Sequence, residues 1–327
     1  MRIECKNINT SHIQNLHIRT FEIHTFNINY HTPVLLKEAI EGLQINPSGI
    51  YVDCTMGGAG HTKAILEKIG SEGTLIAFDQ DKDAAKNVPN DKRIIFIDHN
   101  FKHIQRFLKL HQITAVDGIL ADLGVSSHQF DEGSRGFSIR YDALLDMRMD
   151  QRQTLTAFNI IQTYTEQQLH KLFEQYGEVT NSKTLAKMIV NSRNHQSLKT
   201  VSNFKQAISN SVKGNPNKYF AQVFQALRIA VNDEMKSLEA LLKQVPTVLK
   251  TGGRAVFITF HSIEDRIVKN YFKRGKMEED DENDWTQTEK IKHFLKLITK
   301  KPIEAGEEEL KINPRARSAK LRIAEKK

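Results

Sequence analysis

The chain has 327 residues, with 47 lysines and arginines against 39 acids and a formal charge of +8 at pH 7. That length can bury a full core in one large or two smaller domains, and the basic balance suits a polyanionic partner. Two cysteines without metal-ligand spacing argue against a disulfide framework and a zinc site. No apolar run reaches membrane-spanning length, so the expected setting is a reducing cytoplasm, with no metal and no membrane.

Residues 1–29 are dominated by Ile, His, Asn and Thr without sustained periodicity, and lack the apolar stretch of a secretory signal. They are expected to be an extension, disordered or begun from an upstream start. Tyr30 to Glu38 opens the folded part and leads into an amphipathic helix through Leu43, with His31 either a ligand contact or a helix cap.

Ile50-Tyr51-Val52 then reads as a strand ending in Asp53, followed by Cys54-Thr55-Met56-Gly57-Gly58-Ala59-Gly60-His61, with three glycines in four positions. Ala64, Ile65, Leu66 and Ile69 continue at helical spacing towards Gly70. Strand, glycine loop and helix together form an entry point for a nucleotide-like cofactor, since glycine permits close backbone approach and a helix start offers free N–H groups. The next strand, Thr74 to Phe78, ends in Asp79, 22 residues after Gly57, where a ribose-binding carboxylate belongs. The Gly-x-Gly-x-x-Gly of nicotinamide enzymes is absent. The loop instead resembles the S-adenosylmethionine loop of class I methyltransferases, whose ligand carries no phosphates and asks for a ribose acceptor.

Arg93 to Asp98 is a third strand, with Phe101 just beyond it, either core or flanking an adenine. Val116 to Asp122 is a fourth. Asp53, Asp79, Asp98 and Asp122 each close one strand, and ligands of open parallel sheets sit beyond such ends. The strand–helix alternation breaks after Gly133. Thr165 and Gln168 make a capping box ahead of a helix that stops at Gly177, and two further helices follow, around Leu185 to Ile189 and Phe204 to Val212. Residues 133–215 are therefore expected to be an all-helical insertion into an α/β sheet domain formed by 30–132 and 216–327. Lys183, Lys187, Arg193, Lys199, Lys205 and Lys213 would give the insertion a basic face. Ala221 to Leu242 carries a helical stripe back to the sheet, and Arg254 to Phe260 is a fifth strand ending in His261. Residues 278–284 hold six acids in seven positions and read as a loop. Asn313 to Arg322 reads as a basic tail, on the surface or turned back to hold phosphates in the substrate cleft.

Taken in order, His31-x-Pro-Val-Leu-Leu, Asp53-Cys-Thr-x-Gly-Gly-x-Gly-His61, Asp122-Leu-Gly-Val-Ser-Ser127, Arg135-Gly-Phe-Ser138, Leu145-Asp-Met-Arg-Met149, Phe224-Gln-Ala-Leu-Arg-Ile229, Phe260-His-Ser-Ile-Glu-Asp-Arg266 and Arg315-Ala-Arg-Ser-Ala-Lys-Leu-Arg322 form an ordered set. By these motifs the chain, from about Tyr30 to Arg322, resembles the bacterial small-subunit ribosomal RNA cytosine-N4-methyltransferase (RsmH, formerly MraW) family. The resemblance implies a class I, Rossmann-like sheet and S-adenosyl-L-methionine as cofactor. Its contacts would fall on Ala59, Gly60, His61, Asp79, Phe101, Asp122 and Gln129, the last by resemblance alone. The implied partner is the small ribosomal subunit or its RNA, with the oligomeric state left open. Ala59 stands where many members carry glycine, a replacement compatible with a negative φ, and Asn215-Pro-Asn-Lys218 is less basic than in many relatives.

The implied reaction moves a sulfonium methyl onto the exocyclic N4 of a cytidine. That lone pair is delocalised into the ring, so an acceptor holding the N–H groups favours reaction, and Asp122 is the expected catalytic residue. His261 and Asp265 are lesser candidates for proton handling. Leu123-Gly124-Val125 stands where amino-methyltransferases usually carry Pro-Pro-aromatic, and the sequence does not name the aromatic that stacks the base. Carbon-5 methylation would need a cysteine nucleophile at this turn, and Cys54 reads as core. Two other readings compete: a DNA amino-methyltransferase, and a non-catalytic RNA-binding assembly factor.

Overall fold

A computed structural model describes residues 33–277 and 293–327; the extension 1–29, His31 and the acidic run 278–284 lie outside the described residues. The described elements run α1 (Leu36–Leu43), β1 (Ile50–Asp53), α2 (Gly60–Lys68), β2 (Thr74–Phe78), β3 (Ile94–Ile97), α3 (Ile104–Leu110), β4 (Val116–Asp122) and α4 (Ser127–Asp131). There follow α5 (Ala157–Thr163), α6 (Glu166–Gly177), α7 (Ser182–Ser192), α8 (Val201–Ala207), α9 (Pro216–Asn232), α10 (Glu234–Val248), β5 (Leu249–Thr259), α11 (Ser262–Arg274), β6 (Leu295–Leu297), α12 (Glu307–Ile312) and β7 (Lys320–Lys326).

The seven strands form one sheet in the order β3-β2-β1-β4-β5-β7-β6. The first five run parallel, and β7 enters antiparallel to both β5 and β6. The chain builds outward from β1 to β3, then crosses back so that β4 lies on the other side of β1. That reversal opens a crevice beyond Asp53 and Asp122.

Strand periodicity decides which helices cover which face. Tyr51, Leu75, Leu120, Val256 and Ile258 pack with Leu35, Ala39 and Leu43 around α1 and with Ile65 and Leu66 of α2. Their neighbours Val52, Ile76, Ile119, Ala255 and Phe257 face Ile104 and Leu108 of α3, Leu238 to Val245 of α10, and Val268 and Phe272 of α11. Apolar side chains therefore fall on both faces of the strands, as a doubly covered parallel sheet requires. This is the class I methyltransferase architecture.

The helices α5 to α8 carry their own apolar core, with Ile160, Leu172, Phe173, Leu185 and Phe204 all buried. The expected stripe from Ala221 to Leu242 divides in two at Asp233, whose φ is +50°. Tyr219, Val223, Phe224 and Leu227 of α9 pack into the helical core, and only α10 returns to the sheet. Side chains of α9 as far as Val231 thus share the apolar core of α5 to α8. The basic face of these helices is also thinner than the sequence implies. The Arg193 guanidinium donates to the carbonyls of Ile161 and Tyr164, closing the end of α5, and Lys205 donates to the Ile139 carbonyl beside the Phe220 ring.

The expected C-terminal tail is corrected more strongly. Lys320–Lys326 is a sheet strand, and Arg322 is 4% exposed with its guanidinium on the carboxylate of Asp265 at 2.7 and 2.9 Å. Leu321, Ile323 and Ala324 bury between β5 and β6, so the segment is held by the core. Its two basic termini differ in role, for Arg315 pairs with Asp131 of α4 at 2.6 Å.

Candidate active site at the strand ends

The loop after β1 is tied to its neighbours through backbone bonds. The Cys54 N–H donates to the Leu120 carbonyl and the Met56 N–H to that of Phe78, while the Asp122 N–H donates to the Thr55 hydroxyl at 2.8 Å. Residues 54–56 therefore span the ends of β4 and β2. Gly57 follows at φ +49° and gives its N–H to Asp79 Oδ2 at 2.8 Å. Gly60 starts α2, and a Cβ there would stand 2.1 Å from Pro33 Cγ, so only glycine lets the entering segment cross the helix start. Ala59 is fully buried at φ +61°. The expected negative φ is thus corrected. The left-handed backbone costs about 1–2 kcal/mol, offset by packing of its methyl with Met56, Ala77 and Ala84.

Three carboxylates meet at this loop. Asp53 accepts from the Thr62 hydroxyl at 2.6 Å and the Thr55 N–H at 3.0 Å, and burial raises its pKa against those bonds. Asp79 also accepts from the Asp81 N–H. It keeps part of its surface open, yet burial of the carboxylate pushes its pKa up to about 7, aided by the charges of Asp81 and Asp53. Asp122 is raised well above the ordinary carboxylate range, first by burial and then by the charges of Asp53 and Glu264. Its Oδ1 is buried without a hydrogen-bond partner.

His61 explains part of that environment. Its Nε2 lies 3.0 Å from the Val34 carbonyl and must carry the proton, which leaves the Nδ1 lone pair 3.7 Å from Asp122 Oδ2. Burial lowers the imidazole pKa more than Asp53 raises it, so the ring is neutral and does not neutralise the acids. The recess thus gathers three carboxyl groups beside a neutral imidazole.

Of the other predicted residues, Phe101 opens a 3-10 turn, partly exposed and packed on the α3 and α10 core. Asn100 beside it donates to Gln80 at 2.8 Å, joining this turn to the end of β2. Gln129 lies in α4, 5% exposed, where its Oε1 accepts from the Ser126 N–H and its Nε2 donates to Asp81 Oδ2. Asp98 stands apart from the recess and pairs with Arg152. Cys54 is buried, which drives its thiol pKa well up, with the charge of Asp53 adding to it; it is no nucleophile.

Two groups were missed in the sequence. Asp81 accepts from Gln129 and from Arg135 Nη1, and Arg135 Nη2 donates to the carbonyls of Arg148 and Met149. The alternate spacing Asp79-x-Asp81-x-Asp83, with Asp79 and Asp81 each accepting from the N–H two residues on, was the available signal. Glu264 is the second. Its Oε2 accepts from the Phe260 N–H at 3.0 Å, and Oε1 lies 3.1 Å from His261 Nε2. Burial raises its pKa, but His261 and Arg228 outweigh that and hold it low.

Glu234, His261 and Glu264 are close enough to surround a cation; Arg228 already holds the Glu234 carboxylate, while His261 Nε2 is buried without a hydrogen-bond partner. Glu234 pairs bidentately with Arg228, and His261 Nδ1 takes the Glu264 N–H, which places the ring proton on Nε2, towards Glu264. This is an ion-pair network that fixes the start of α11. Asp265 is engaged by Arg322 at 2.7 and 2.9 Å. A separate cleft of about 590 Å³, lined by residues including Tyr176, Met235 and Ile263, contains none of the strand-end acids.

Residues 28–327 match the model of the MraW methylase family. A ribosomal RNA small subunit methyltransferase H from Bacteroides thetaiotaomicron is 50% identical over 92% of this chain and 98% of its own length. The same-named protein of Flavobacterium johnsoniae is 49% identical over 91% and 98%. A solved rRNA methylase from Streptococcus thermophilus aligns over 89% of this chain and 93% of its own at 11% identity, with a TM-score of 0.36. The chain belongs to the MraW methylase family and is an S-adenosylmethionine-dependent methyltransferase.

Proposed function

We propose that the protein methylates the exocyclic N4 of a cytidine in small-subunit ribosomal RNA. The observation that carries this is the buried, unpartnered Oδ1 of Asp122, an acceptor at the topological switch point with no donor of its own. Across nearly their whole lengths, the relatives named for small-subunit ribosomal RNA share about half of this chain's residues, which supports the substrate class.

The residues present fit the cofactor. Burial, with neighbouring carboxylate charge at Asp79 and Asp122, disfavours the ionised forms of the three acids in the recess, and a cationic ligand beside them favours ionisation. S-adenosylmethionine, when bound, supplies an electrophilic methyl on a positively charged sulfur. Gly60, Ala59 and His61 form the floor beneath it, Asp79 accepts from the ribose hydroxyls, and Phe101 flanks the adenine. Gln129 holds α4 over the site through Asp81. Asp122 holds the N4 hydrogens, which turns the nitrogen lone pair out of conjugation. With the ionised Asp122 as acceptor, one N–H proton would pass to its carboxylate and then to water as the nitrogen takes the methyl that the cofactor would supply. Positioning and exclusion of water supply most of the rate.

The helical body 133–232 is the substrate-recognition part of this reading, with exposed Lys183, Lys187, Lys199 and Lys213 against RNA phosphates. Among the described residues no helix is long and apolar enough to cross a membrane, and a cytoplasmic setting follows from the ribosomal substrate.

The test is transfer of labelled methyl to small subunits from cells lacking this gene, with nucleoside analysis and with free ribosomal RNA and duplex DNA alongside. Label in N4-methylcytidine is expected, with Asp122→Asn reducing kcat about a hundredfold or more while cofactor Kd changes far less. Label confined to DNA, or cofactor binding with no transfer to any substrate, would overturn the reading.

A further inference from the structure

The turn beyond Asp122 carries Leu123, Gly124 and Val125 and presents no aromatic ring, yet a base drawn out of its stack needs a flat surface to fix its plane. The sheet register supplies one from the next strand. Asp122 pairs with Ile258, so Phe260 stands two residues further along β5, just beyond its carboxyl end. Side chains two apart share a face. Leu120 and Ile258 both pack on the α1 and α2 side, which places Asp122 and Phe260 together on that side, with His61 of α2. Phe260 rests against this core while keeping part of its surface exposed.

Gly124 completes the arrangement. Its φ is +89°, and a Cβ built on it would touch Phe260 Cδ2 at 3.7 Å. A longer side chain at 124 would lie along the ring; glycine leaves it uncovered. The backbone that carries the ring is also anchored, since the Phe260 N–H donates to Glu264, itself 2% exposed.

We propose that Phe260 is the surface on which the target cytosine stacks, with Gly124 leaving room for the base and Asp122 receiving its amine. This rests on the reaction proposed above and adds the residue that orients the base.

The test uses the full chain. Phe260→Leu keeps an apolar side chain of similar burial. It is expected to lower kcat/KM for small subunits about tenfold or more, with cofactor Kd unchanged, whereas Phe260→Tyr stays within a fewfold of the parent. A readout without turnover is Phe260→Trp in a Trp285→Phe background, the parent having a single tryptophan. Its emission is expected to be quenched by a cytidine-containing single-stranded RNA in the presence of S-adenosylhomocysteine, and less by an abasic analogue. If wild type labels subunits and Phe260→Leu does so equally, stacking is overturned while the reaction stands. If Tyr fails as badly as Leu, or the RNA leaves the indole unquenched, the ring serves packing and the proposal fails. If wild type transfers no methyl, the reaction is what fails, and quenching still decides whether a base meets this ring.

Discussion

Asp79 ties the glycine loop to the turn after β2. Its carboxylate receives two backbone N–H groups, yet burial still pushes its pKa up to about 7. Between the ordinary carboxylate value and about 7, the folded protein binds more protons at this group than the unfolded chain does. Its contribution to stability therefore falls as pH rises across that interval and levels off above it. In the proposed cofactor site ribose hydroxyls would donate to the ionised form, so cofactor affinity should weaken below pH 7, approaching tenfold per pH unit, and stay constant above. Calorimetric titration from pH 5.5 to 8.5 measures this. Asp79→Asn should bind about tenfold or more weakly at pH 8 and lose the slope; an unchanged slope in that variant would assign the titration elsewhere. At this scale the sequence was informative where chemistry is local. The strand-end acids follow directly from pattern, whereas the conformation of Ala59 does not, because its left-handed φ accompanies burial against Met56, Ala77 and Ala84, which are brought together only by the fold.

Between elements, Asp81 is the joint. It lies past β2, takes Gln129 from α4 and Arg135 from the following turn, and Arg135 reaches on to the loop carrying Met149. Met149 in turn donates to Asn232 at the end of α9 at 2.7 Å. The cofactor strand and the helical body are thus linked by a chain of buried polar contacts. Arg135→Leu would leave the Asp81 carboxylate, 4% exposed, without its cation and two carbonyls without donors. A loss of about 3–5 kcal/mol in urea denaturation is expected, together with weaker cofactor binding as α4 loosens. A variant of unchanged stability would show the pair to be dispensable. Helix existence was readable here from capping boxes at Thr165 and periodicity, and the division of the long stripe at Asp233 was not. Both halves are apolar at helical spacing, and only the separate cores they enter distinguish them.

For the molecule as a whole, closure of the sheet depends on Arg322 and Asp265. β7 inserts between β5 and β6 with an arginine in the buried register, and the bidentate pair to α11 makes that insertion tolerable. Arg322→Met should cost about 3–5 kcal/mol by leaving Asp265 buried without its main partner, since Lys320 approaches only to 3.8 Å. Adding Asp265→Leu should recover most of that loss, because a buried ion pair replaced by apolar groups is often neutral. Urea curves for the single and double variants measure the difference, and equal stability of the two would remove the pair from this role.

By itself the sequence determined the five parallel strands, the glycine loop, the acids at the strand ends and the family, because each depends on short-range pattern and backbone propensity. Only the tertiary structure decided which of those acids share a recess, that the basic C-terminal segment is a buried strand, and that Phe260 lies beside the turn after Asp122. Those depend on register between strands distant in sequence, and on burial that turns a charged side chain from solvent to a partner.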